Sequence, residues 1–183
     1  MQSEALRALQ APLKDRYRTE PGAAQITLRA QGTLDALGLT CKVETGTALV
    51  TAGLHPATGG DGTAACSGDM LLEALVACAG VTLRAVATAL NIELAGGRVV
   101  AEGDLDFRGT LGVDKEAPVG FKDIRLRFDL DTNASAEQLA NLVRLTERYC
   151  VIYRTLKSPP PVTVSLADNE ASERGQNGHR ANL

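Results

Sequence analysis

"GDMLLEALVACAGVTLRAVATAL", residues 68–90, is the most apolar stretch of the chain, and its reading decides the rest. Wound at 3.6 residues per turn, it is apolar nearly all the way round. That predicts a helix from about 68 to 91, buried on all sides. Glu73 and Arg84 interrupt it, which argues against a membrane span. They stand eleven residues apart on one helical face, and salt bridges to strands or to a second subunit are their expected partners. Asp69 falls in the first turn, where a negative charge suits the helix dipole, and Ser67 is the expected N-cap.

Working outward, the flanks alternate. "QITLRAQG" (25–32) has the period of a half-buried strand, and "LTCKVET" and "ALVTAG" around Gly46 predict two more. A Gly- and Thr-rich loop, "HPATGGDGTAACSGD" (55–69), leads into the long helix. Beyond it, "GRVVAEGDLDFRG" places Ala101, Gly103, Leu105 and Phe107 on one face. "DIRLRFDLD" (123–131) sets Ile124, Leu126, Phe128 and Leu130 inward and Arg125, Arg127 and Asp129 outward, the pattern of an antiparallel strand with one wet face. "SAEQ" (135–138) fits a capping box that opens a second helix, with Leu139, Leu142, Val143 and Thr146 on one face. Pro159–Pro161 stops it, and "VTVSL" restarts a strand. Residues 2–10 read as a short amphipathic helix. The sequence divides into an N-terminal helical arm (1–24), one domain (25–166) and a flexible tail (167–183). Strands, long helix, strands, helix and strand make the class α+β.

Composition narrows the function. The 183 residues carry a net charge of −3 and only 3% aromatic side chains. Neither a nucleic-acid nor an anionic-membrane partner fits that balance. The N-terminus lacks the apolar run of a signal peptide, so the chain reads as cytoplasmic, where its four cysteines start as thiols. No phosphate-binding glycine motif and no zinc-ligand spacing occurs, and no cofactor or metal is expected.

Chemistry therefore rests on the cysteines. Cys78, in the run of small residues "ALVACAGV", is either a small core hydrophobe or a thiol in an apolar pocket. Cys66, next to the start of the helix, gains from the helix dipole, and by geometry alone is the better nucleophile. Cys41 lies on a strand and reads as inert. Cys150 in "ERYCVIYRTL" (147–156) ends the second helix with Arg144, Arg148 and Arg154 close in sequence, and positive charge lowers a thiol pKa. The same arginines also suit a helix C-terminus without any catalytic role. His55, before Pro56, reads as a residue that fixes its loop or lines a pocket.

"SGDMLLEALVACAGVTL" resembles the first helix motif of the OsmC-like family of osmotically induced and organic hydroperoxide resistance proteins. "ERYCVIYRTL", followed by prolines and a strand, resembles that family's second cysteine motif. The resemblance covers residues 25–166. It implies antiparallel strands wrapped around two central helices in an intertwined homodimer. It further implies a thiol-dependent peroxidase acting on organic hydroperoxides in oxidative-stress defence. Cys78 would be the peroxidatic thiolate and Cys150 the resolving cysteine. The resulting disulfide would be reduced by an external dithiol, a lipoylated or thioredoxin-like protein. The family's carboxylate position is filled by Asp69, with Glu73 one turn on. For the arginine that lowers the thiol pKa, the resemblance points to Arg29, with Arg16 and Arg18 as competitors. Glu73, His55 and Cys66 would line the pocket. The alternative is a non-catalytic dimeric member of the family holding a small apolar ligand, consistent with Asp69 in place of glutamate and with the unusual 55–67 loop.

Overall fold

In the computed structural model, residues 49–112 and 114–166 are described throughout. Of the segment before them, the described positions are 2–5, 8, 10, 11, 19, 20 and the backbone of 31–34 and 40–44. Three strands, β1 (Gln31–Leu34), β2 (Thr40–Glu44) and β3 (Leu49–Gly53), form an antiparallel meander, with Gln31 opposite Glu44 and Thr40 opposite Gly53. The short β4 (Ala65–Cys66) pairs parallel to β3 and runs directly into α1 (Ser67–Ala89). β5 (Gly96–Asp104) and β6 (Asp123–Asp131) make a second, antiparallel sheet, with Val99 opposite Phe128. A short α2 (Phe107–Thr110) joins them, and α3 (Ala136–Tyr149) and α4 (Val151–Lys157) complete the described chain. The α+β class holds, and the strands expected around Gly46 are present. The expected strand over 25–30, the turn at Gly46 itself and the tail from 167 lie outside the described residues. The described positions 3–5, 8, 10 and 11 are helical.

The core sits between α1, α3 and the β5–β6 sheet. Leu75, Ala79, Leu83 and Ala87 recur every fourth residue and form one buried stripe of α1. Leu83, Ala87, Ile92 and Leu142 cluster there, covered by Phe128 and Leu130 of β6 and Leu139 of α3. β6 alternates as its sequence predicts, every apolar position half-buried and every charged one exposed. On its wet face Arg125 reaches Asp123 at 2.8 Å and also pairs with Asp104. Such exposed pairs add little stability. The capping box is formed in full: Gln138 N–H donates to Ser135 Oγ at 3.2 Å, and Ser135 N–H to Gln138 Oε1 at 2.9 Å.

Several expectations are corrected. α1 is buried on one stripe rather than all round: Val81 is 73% exposed, and Leu71 is also open. By length and composition alone this helix could cross a membrane, despite Glu73 and Arg84. A core helix meets the same test, and the packed stripe accounts for it. Cys66, not Ser67, occupies the N-cap, because β4 holds the backbone extended up to that residue. Arg84 makes no ion pair among the described residues; it donates to the Leu94 carbonyl at 2.8 Å. β5 ends at Asp104, so Leu105 and Phe107 leave the strand. Asp106 accepts from Arg108 N–H and caps α2 instead. Residues 159–166 form no strand. Val162, Val164 (88% exposed) and Leu166 have no cover among the described residues.

One glycine is required by a close approach. A Cβ on Gly103 would fall 2.4 Å from the Phe121 ring, which lies against β5 close to Leu72. Gly103→Ala should therefore displace Phe121 and cost about 1–3 kcal/mol, as overpacking does. Urea unfolding with an unchanged midpoint would show that the ring moves freely.

Candidate active site: the cysteine pair

Cys78 lies midway along α1, half-buried, where α4 packs across the helix. Cys150 is the single residue between α3 and α4 and is fully buried. Its φ of −72° and ψ of 111° are extended, so it ends one helix and starts the next. The junction is held on both sides. Cys150 N–H donates to the Thr146 carbonyl at 2.9 Å, and Arg154 N–H donates to the Cys150 carbonyl at 2.9 Å. This turn aims the free N–H groups of Val151 and Ile152 at α1.

The result is a thiol with several donors around it. Burial acts to raise the pKa of Cys78. The Ile152 N–H, the Cys150 thiol, the Val151 N–H and the Thr82 hydroxyl overcome it and hold the sulfur below the ordinary thiol value. For Cys150 burial also leads, and the neighbouring Cys78 sulfur adds to it. The Tyr153 and Ile152 N–H groups only partly compensate, so this thiol is pushed up. The pair is thus asymmetric: Cys78 is the sulfur that ionises, and Cys150 keeps its proton and donates it to Cys78. Both are free thiols, and each sulfur acts on the ionisation of the other. A disulfide requires the sulfurs to close to about 2.05 Å.

The other candidates stand elsewhere. Asp69 and Glu73 are exposed and make no ion pair among the described residues. Asp69 precedes Cys78 by nine residues, about 13–14 Å of rise and half a turn of rotation, which sets it on the far side of α1. Cys66 is about 18 Å before Cys78 by the same rise. His55 fixes its loop: Nδ1 accepts from Ala57 N–H at 3.0 Å, and the ring stacks on Phe107 at 5.0 Å. Arg29, Arg16 and Arg18 lie outside the described residues. No arginine beside Cys150 acts on either sulfur. Arg144 bonds Asn141 Oδ1 at 2.7 Å, and Arg148 lies over the Tyr149 ring. Sequence reasoning missed the donors that matter, Val151, Ile152 and Thr82. Two of them act through backbone N–H, which no side-chain motif displays.

A cavity of about 540 Å³ opens between β6 and the α3–α4 pair. Leu75, Phe121, Leu126, Phe128 and Leu156 give it apolar walls, and Lys122 and Lys157 stand among its polar residues. It adjoins the pair through Leu75, one turn before Cys78, and Tyr153, three residues after Cys150.

The family model described as OsmC-like protein matches residues 60–165, more than half of the chain, and spans both cysteines. The chain belongs to the OsmC-like family. Solved structures agree in fold. An OsmC-like protein from Mycoplasma pneumoniae superimposes with a TM-score of 0.61 at 16% identity, covering 74% of this chain and 90% of that one. The organic hydroperoxide resistance protein OsmC of Legionella pneumophila gives 0.58 at 18% identity, with 74% and 92% covered. An organic hydroperoxide resistance protein from Elizabethkingia anophelis gives 0.59 at 14%, with 74% and 91% covered. None of the curated proteins matches the chain in sequence. At these identities the neighbours establish an OsmC-like fold, and the chemistry must be argued from the cysteine pair.

Proposed function

We propose that this OsmC-like protein is a thiol-dependent peroxidase that reduces organic hydroperoxides. The observation that carries the reading is the asymmetric pair, an easily ionised Cys78 in contact with a protonated, buried Cys150. The Cys78 thiolate attacks the terminal oxygen of R–O–O–H. The O–O bond breaks, Cys78 becomes a sulfenic acid, and the alkoxide takes a proton to leave as the alcohol. The Cys150 thiol then displaces the sulfenic oxygen as water and closes a disulfide. An external dithiol, on a lipoylated or thioredoxin-like protein, returns both thiols and is itself oxidised. The apolar walls of the cavity beside the pair, Leu75, Phe121, Leu126, Phe128 and Leu156, support a substrate with an organic group. The Val151 and Ile152 N–H groups of α4 support the Cys78 thiolate.

The reading extends to a homodimer in the cytoplasm. The open apolar side of α1 at Leu71 and Val81, and the uncovered Val162, Val164 and Leu166, support a second copy as their cover. A monomeric mass in sedimentation equilibrium would refute the dimer.

The deciding experiment treats the reduced protein with one equivalent of cumene hydroperoxide and maps its peptides. Loss of two hydrogens with a Cys78–Cys150 linked peptide is expected. A link through Cys66, or no oxidation, would defeat the proposal. The second reading, a non-catalytic protein holding a small apolar ligand in the cavity, would then stand.

A further inference from the structure

From Ala136 to Lys157 the sequence holds neither glycine nor proline, so no helix-breaking residue type lies in it. The chain nevertheless leaves α3 at Cys150 and resumes as α4. One turn before that break stands Thr146, the single buried polar residue among those described, 2% exposed. Leu142 and Cys150, four residues to either side, are buried as well, on the stripe of α3 that packs against α1. A hydroxyl there is costly, because burial strips it of water unless it finds a partner. Valine has the same branched shape without that cost, so packing does not account for a threonine at this position.

The partner is the carbonyl one turn back. Thr146 Oγ1 donates to the Leu142 carbonyl at 2.8 Å. Helical geometry sends the Thr146 N–H to the same oxygen, so two donors share it. Back-bonding of this kind weakens a helix slightly and bends it. The next bond of the ladder runs from Cys150 N–H to the Thr146 carbonyl at 2.9 Å, and the one after it from Arg154 N–H to the Cys150 carbonyl at 2.9 Å. Thr146 thus holds Cys150 through its carbonyl, while its side chain sets the tilt of the turn that carries this carbonyl. Thr88 makes the same bond to the Arg84 carbonyl at 2.8 Å, and it too stands in the last turn of a helix, α1. That pair is open to water, so only at Thr146 is the hydroxyl placed where it must be satisfied inside the protein.

We propose that Thr146 is the positioning residue of Cys150: its hydroxyl, anchored on the Leu142 carbonyl, tilts the last turn of α3 so that the chain leaves the helix at Cys150 and brings that residue to α1. Thr146 acts through Cys150 and takes no part in bond making. Its value in turnover rests on the peroxidase reading, but the placement of Cys150 does not.

Position decides how readily two thiols close a disulfide, since the bond tolerates Cα separations of only about 4.4–6.8 Å. The test equilibrates the full-length protein with defined mixtures of reduced and oxidised glutathione and measures the Cys78–Cys150 linked peptide by mass spectrometry. In this exchange the glutathione S–S bond breaks, the two cysteine sulfurs join, and two glutathione thiols carry away the protons. Thr146→Val should lower the equilibrium constant by about three- to tenfold, a tenfold loss being about 30 mV, with its urea midpoint at or above the parent's. Thr146→Ser keeps the hydroxyl and loses the methyl. It should lower the urea midpoint and leave the equilibrium constant at the parent's value. A residue that merely packed would give the reverse, because filling the core needs the methyl and not the hydroxyl. An unmoved constant in Thr146→Val overturns the proposal, and so does an equal fall in Thr146→Ser. If Thr146→Val fails to fold, Thr146→Ala set against Thr146→Ser makes the same comparison, because those two differ only by the hydroxyl, and the loss is expected in Thr146→Ala alone. A parent that forms no Cys78–Cys150 bond with glutathione overturns the proposal too. No hydroperoxide enters the assay, so a parent that links with glutathione but not with cumene hydroperoxide defeats the peroxidase reading alone.

Discussion

Cys78→Ser should abolish hydroperoxide turnover, reducing it by at least about a thousandfold when assayed with cumene hydroperoxide and excess dithiol. The size follows from the chemistry. A serine hydroxyl at this position is neither ionised near neutral pH nor able to pass through a sulfenic acid, so no step of the proposed cycle survives. Cys150→Ser is expected to fail differently. Its first oxidation at Cys78 proceeds, slowed because one donor is altered, and the sulfenic acid persists long enough to be trapped by dimedone. Steady turnover with a dithiol then drops steeply, since the resolving thiol is gone. Undiminished turnover in Cys78→Ser would remove the peroxidase reading. Dimedone capture at Cys150 in place of Cys78 would reverse the roles of the two sulfurs, against the asymmetry of their surroundings.

Leu142→Ala carries the largest expected loss of stability. Leu142 is 0% exposed and sits in the cluster with Leu83, Ala87 and Ile92, where α3 meets α1 under β6. Deleting its side chain beyond Cβ removes the transfer free energy of three carbons and leaves a hole between two helices that cannot both move inward. Such truncations cost about 2–5 kcal/mol. Urea unfolding followed by circular dichroism measures it directly. The same α3 delivers Cys150, so the variant should also loosen the cysteine pair. A loss below about 1 kcal/mol would mean that the α1–α3 contact is not the core of this fold.

Local signals reached a good part of this architecture. The alternation in 123–131 determined β6 because each residue's face is set by the two-residue period alone. "SAEQ" determined the start of α3, since a capping box is closed by residues three apart. The apolar run from 68 determined α1, and "ERYC" placed Cys150 correctly at the end of α3. The resemblance to the OsmC-like family, carried by the two cysteine motifs, singled out the pair that the fold brings together. Geometry along α1 alone had preferred Cys66, whose place near the helix start is visible in sequence but whose distance from Cys150 is not.

What the tertiary structure decided is of another kind. No residue in "CVIYR" announces that the helix breaks for one residue and resumes, because the break is held by hydrogen bonds to Thr146 and Arg154 rather than by a glycine or proline. The lowered pKa of Cys78 comes from N–H groups more than seventy residues away in sequence, and backbone donors leave no mark on residue identity. Which side of α1 is buried was equally illegible. An all-apolar helix fits a core from any direction, and only its packing against α3 and β5 selected the stripe through Leu75, Ala79, Leu83 and Ala87. Residues 162–166 show the converse limit. Their alternation is a strand's, but a strand forms only where another backbone is present to pair with it.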